Sequence, residues 1–160
     1  MSCLSAVRTA FVASCSLFLA LESTQAQGPL VVRPLQDLSF GFLIPGVNTT
    51  VDALQLTRSG QVEVQATVGA VLEVRYTLPA VMNSGANTLP LAFGATSAGA
   101  SASRTPIDVV RFNPNVATRF RYVTTDRATF FLGGLASPRT TQVTGAYTAP
   151  VIITITNLGF

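Results

Sequence analysis

The sequence predicts an all-β domain, an antiparallel β-sandwich of about eight short strands, and three observations carry that prediction. Two long stretches, Gln61 to Val68 and Val71 to Leu78, alternate apolar and polar residues with a period of two. That period belongs to a strand with one buried face. Beyond residue 26, Thr and Val are plentiful and strong helix formers do not recur at a 3.6-residue spacing. Turn-forming Gly, Pro, Asn and Ser interrupt the chain at intervals of roughly ten residues, as between the strands of a sandwich.

The N-terminus reads as an address. Arg8 is the only charge before Glu22, and the run from Thr9 to Leu21 has the length of a signal-peptide core. It is shorter than the roughly 20 apolar residues a spanning helix needs. Thr24-Gln25-Ala26 predicts cleavage after Ala26. Residues 1–26 are therefore expected to form a cleavable signal helix and residues 27–160 a single domain, periplasmic, secreted or at the cell surface. Acylation at Cys15, within Val12-Ala13-Ser14-Cys15, is the weaker reading, because the apolar run continues past the cysteine.

Along the domain, Leu30 to Arg33 and Asp37 to Phe42 read as short strands separated by Pro34, and Pro45-Gly46 as a turn. Thr50 to Thr57 reads as a strand of less regular phase. In the stretch from Gln61, Val62, Val64, Ala66 and Val68 point one way and Gln61, Glu63, Gln65 and Thr67 the other. In the next, Leu72, Val74, Tyr76 and Leu78 point inward until Pro79 stops the strand. The Ser-, Gly-, Ala- and Asn-rich stretch of residues 83–105 is expected to be a flexible loop, with a short strand near Leu89 to Phe93. Val116 to Thr124 alternates, Arg127 to Leu132 is dense with Phe130 and Phe131 competing for one inward slot, and Val151 to Thr156 is the last strand. The expected core is Val62, Val64, Val68, Leu72, Val74, Tyr76, Phe120, Phe130, Val151, Ile153 and Ile155.

Composition narrows the chemistry. The chain has 160 residues, 48% of them hydrophobic and 11% charged, against a usual charged share of about 25%. It is too apolar to be a disordered chain. His, Lys and Trp are absent, all ten basic residues are Arg, and both cysteines, Cys3 and Cys15, fall in the signal segment. A Ser-His-Asp triad, a Cys nucleophile, a Schiff-base Lys and a Walker loop are excluded from the domain, as is a disulfide. Asp37, Asp108 and Asp126 show no spacing that implies a carboxylate pair, and Asp108, Asn113, Asn115 and Asp126 match no calcium-loop pattern. The reading is a protein that is not an enzyme, with no catalytic residue, metal or cofactor. Arg111, Arg119, Arg121 and Arg127 interleave with aromatics and form a candidate polar contact patch. The net charge of only +3 favours the solvated face of a strand pair over nucleic-acid binding. A small outer-membrane barrel is disfavoured, since counting back by two from Phe160 breaks the apolar face at Thr156 and Thr154.

Three segments together resemble a known family. They are Asp37-Leu-Ser-Phe-Gly-Phe-Leu-Ile-Pro-Gly46, Ala128-Thr-Phe-Phe-Leu-Gly-Gly-Leu135 followed by Pro138, and Gly145-Ala-Tyr-Thr-Ala-Pro-Val-Ile-Ile-Thr-Ile-Thr156. In this order they resemble a bacterial family of secreted, pilin-like β-sandwich proteins catalogued as a domain of unknown function. The closing strand is similar to those of fimbrial subunits and spore-coat U proteins. The resemblance implies an immunoglobulin-like, pilin-like sandwich and an exported structural or adhesive surface protein, a fimbria-like subunit assembling by β-strand addition. It implies no catalytic residue. The alternative is a periplasmic or extracellular glycan-binding module. Expected partners are other copies or other surface subunits, not nucleic acid, and the cleaved protein is not expected to be integral to a membrane. In such an assembly Gln27 to Arg33, with Leu30 and Val32 on one face, is the candidate donor strand.

Overall fold

The computed structural model describes residues 29–121 and 126–159. The expected signal peptide and both cysteines lie outside the described residues. Among those residues the fold is all-β, with twelve strands and no helix. The strands are β1 (Val31–Gln36), β2 (Thr49–Val51), β3 (Gly60–Gln65), β4 (Val71–Thr77), β5 (Val81–Ser84) and β6 (Asn87–Ala92), then β7 (Ala98–Ser101), β8 (Val110–Phe112), β9 (Thr118–Arg121), β10 (Arg127–Leu132), β11 (Gly134–Ala136) and β12 (Ile152–Asn157).

They form three antiparallel sheets: β1-β3-β10-β7-β8, β2-β11-β6-β5 and β12-β4-β9. The main core gathers inward residues of the five- and three-stranded sheets. Val64, Ala100, Phe112, Phe130 and Leu132 come from one; Leu72 and Val74, with half-buried Phe120, Ile153 and Ile155, come from the other. Two sheets that share one apolar layer are consistent with a β-sandwich. A second core, of Phe40, Val51, Met82, Leu89 and Ala136, lies on the four-stranded sheet, and Leu38 packs against both.

Several expectations are corrected. Residues 83–105 are not a flexible loop: they hold the end of β5 and all of β6 and β7. Gly85, at φ 57°, opens a two-residue hairpin turn between the paired Ser84 and Asn87, a conformation that glycine adopts without a steric penalty. The small residues of β7 serve close packing, since a Cβ on Gly99 would meet Val109 Cγ1 at 2.7 Å. Pro34 does not divide two strands. It lies within β1, an edge strand where a missing N–H is tolerated, and the register shifts beside it. Asp37 to Phe42 is not a strand, and of the expected Thr50–Thr57 region only Thr50 and Val51 are, at the end of β2.

The phase of β3 and β4 is as expected for Val64, Leu72 and Val74, all buried. Val68 and Val151 are exposed instead, because each lies just outside its strand, where the alternation no longer has a sheet to follow. Phe130 and Phe131 do not compete. They occupy opposite faces of β10 and both are buried, since Val109 and Leu54 approach the outer face at Gly99, the partner of Phe131. Glu63, expected to be solvated, is buried on that same outer face.

Candidate functional site

The opening and closing family-like segments, with Leu135 and Pro138 of the middle one, meet at the four-stranded sheet. Gly46, at φ 76°, donates its N–H to the carbonyls of Pro138 at 3.2 Å and Arg139 at 3.1 Å, tying the 38–47 loop to the 138–147 loop. Thr148 and Asn83 exchange backbone hydrogen bonds of 2.8 and 3.0 Å, which adds the closing segment to the edge of β5. Between the two loops opens a groove of about 640 Å³, floored by Met82 and Leu89 and walled by Phe40, Leu43, Val143 and Tyr147. Phe42, on its rim, is fully exposed, and Ile44, Val47 and Val143 add exposed apolar surface in the same loops.

Among the described residues, no charged side chain lines this groove. Its polar atoms serve the loop: Gln142 Nε2 donates to Thr88 O at 3.1 Å and to the Tyr147 hydroxyl at 2.7 Å, and that hydroxyl donates to Val143 O at 2.7 Å. Such a site takes uncharged apolar groups and holds no acid–base pair. Sequence reasoning singled out both segments but had no signal that they meet, since the pairing of Gly46 with residue 138 is long-range.

The four arginines of the expected patch are not brought together. Arg111 lies on β8 in the five-stranded sheet, its Nη2 donating to both Asp52 carboxylate oxygens at 2.8 and 3.1 Å. That hydrogen bond, followed by one from Leu54 N–H, holds the Asp52 carboxyl below its ordinary pKa. Arg127 starts β10, 3.9 Å from Asp126 and beside Gln65. Arg119 and Arg121 lie on β9 in another sheet. Asn115 donates to Asn113 Oδ1 and, through Nδ2, to Phe93 O. Among the described residues, no three His, Cys, Asp or Glu side chains gather as a metal site would need.

Leu30 packs against the main core, whereas Val32 is exposed on β1. Among the described residues, the most buried charge is Glu63. Arg104 reaches it from the 102–109 loop, with Nε 2.7 Å from Oε2 and Nη2 3.1 Å from Oε1. This hydrogen-bonded guanidinium, assisted by Arg127 and Arg33, holds the Glu63 carboxyl below its ordinary value of 4.5. Ser101 Oγ donates to Ile107 O at 2.6 Å and fixes the same loop. A folded pKa below the unfolded one means that the stabilisation is complete above the unfolded value and is lost as pH falls through the folded value. Acidification below about 4.5 is therefore expected to loosen the loop. Glu63→Gln is expected to lower the melting temperature at pH 7 and to flatten its decline in acid, as thermal melts across pH would show.

No protein-family model matches the chain, and no curated protein is similar to it in sequence.

Proposed function

We propose that this is an exported structural or adhesive surface protein, not an enzyme, that associates with its own kind by exchange of an edge strand in a pilin-like sandwich. The order of the three family-like segments and the signal-like N-terminus support export and the pilin-like form. The observation that carries the assembly reading is β1. It sits at the edge of the five-stranded sheet, paired with β3 from Val31↔Gln65 to Gln36↔Gln61. Its apolar side chains gain little at home: Val31 is 37% exposed, Val32 42% and Leu35 40%. Pro34 withholds one donor, and the register slips between Pro34 and Gln36. An exposed apolar edge is a surface that proteins otherwise blunt, and a weakly buried strand exchanges readily between identical chains.

The glycan-module reading draws no support from the groove, where the Gln142 amide N–H groups and the Tyr147 hydroxyl proton are engaged within the protein. The test is deletion of Gln27 to Arg33, with size distributions compared by light scattering at high concentration. The full chain is expected to self-associate and the deletion to suppress association. A strictly monomeric full chain, with size and stability unchanged by the deletion, would overturn the reading.

A further inference from the structure

The outer face of the three-stranded sheet is set by register. The inward residues Leu72, Val74, Phe120, Ile153 and Ile155 belong to the core. The alternate positions therefore face outward: Val71, Glu73, Arg75 and Thr77 on β4, Arg119 and Arg121 on β9, Ile152, Thr154 and Thr156 on β12, so that Val71 and Ile152 add apolar surface at the margins of a polar face. Cross-strand partners are Thr154↔Arg75, Thr156↔Glu73 and Glu73↔Arg119. All of these residues are exposed except Val71 and Glu73, which are half-buried, and Glu73 lies between two guanidiniums. Arg119 Nε lies 3.1 Å from Glu73 Oε2, and Arg75 Nη2 lies 3.6 Å from Oε1. Arg121 follows two residues along β9, about 7 Å away. Among the described side chains of this face, three arginines stand against one carboxylate.

We infer that this face binds a linear carboxylated polysaccharide. Three features select that class. The face already seats a carboxylate: Glu73 occupies the position between guanidiniums that a uronate would take beside Arg75, Arg119 and Arg121, and the guanidinium is matched to carboxylate oxygens. The hydroxyls of Thr77, Thr154 and Thr156 flank the arginines and complement sugar hydroxyls. Among the described residues no aromatic stands on the face, since Tyr76 and Phe120 point into the core, so these residues offer nucleic-acid bases no stacking platform. This inference is independent of β1 and of strand exchange.

Binding of polygalacturonate to the full chain at low salt tests it, with neutral dextran and a single-stranded oligothymidylate as comparison probes. Polygalacturonate is expected to bind and to be displaced by salt, dextran not to bind, and the oligonucleotide to bind at least several-fold more weakly. The combined variant Arg75→Gln/Arg119→Gln/Arg121→Gln is expected to lose affinity at least tenfold, while Arg111→Gln on the other sheet leaves it unchanged. Glu73→Gln removes the internal competitor and is expected to strengthen binding, a gain that misfolding cannot produce. Absence of binding, equal loss in Arg111→Gln, no gain in Glu73→Gln, or tighter binding of the oligonucleotide would each overturn the inference.

Discussion

Gly133→Ala is expected to destabilise the protein by at least ~3 kcal/mol, a large part of the ~5–15 kcal/mol that holds a domain together. Gly133 is the single residue at which the chain leaves the five-stranded sheet at the end of β10 and enters the four-stranded sheet as β11. The crossing is tight because its N–H donates to Ser97 O at 2.8 Å while β2 and the residues after it press on the other side. A Cβ there would stand 2.6 Å from Ala53 N and 2.8 Å from Asp52 C, and closer still to the Val51 carbonyl oxygen. These are backbone atoms, so no rotamer change relieves the clash, and the sheet junction itself must move. The expected fall in melting temperature is roughly 10 °C or more. An unchanged melt would mean that the two sheets are not joined in this way. Gly85→Ala, where nothing lies within 4 Å of the added carbon, is the comparison: it carries the conformational penalty of a positive φ without the clash.

Phe130→Ala is expected to cost about 3–5 kcal/mol. Phe130 is 1% exposed and belongs to an aromatic group that ties the two main sheets together. Its ring meets Phe120 of β9 edge-on, with centroids 5.4 Å apart, and Phe112 of β8 at 6.4 Å, while Phe112 and Phe120 meet at 4.9 Å. Truncation removes the ring's apolar burial and two of these contacts, and leaves a void that three strands must close around. Phe131→Ala is expected to destabilise as well, through the outer face of β10. Denaturant melts of the two variants should show both losses. A stable Phe131→Ala would place that ring on an unroofed face.

The strands that were legible in the sequence are those with one wet and one dry face. In β3 and β4, Val64, Leu72 and Val74 lie where alternation puts them, because a two-residue period is what a half-buried strand imposes. Alternation cannot tell a solvated face from one roofed by another part of the chain, and so Glu63 and Phe131 read wrongly. Their cover comes from the distant Leu54, Arg104 and Val109. The small residues of β7 look like a linker in composition, yet Gly99 is small because Val109 lies on it. Sequence proximity misled for the arginines. Arg119 is close in the chain to Arg111 and Arg127 but enters a different sheet from them, while Arg75, far away, joins Arg119 around Glu73 through strand pairing.

Strand exchange is tested most directly by cross-linking between chains. Val31 and Gln65 are register partners in β1 and β3. One population carries Val31→Cys and the other Gln65→Cys, both with Cys3→Ser and Cys15→Ser, and the two are mixed at high concentration, refolded together and oxidised. If β1 of one chain pairs with β3 of another, a disulfide-linked heterodimer accumulates, and a mixture of Val31→Cys with Arg139→Cys, which are not partners, gives none. A heterodimer no more abundant than in that second mixture would contradict the account.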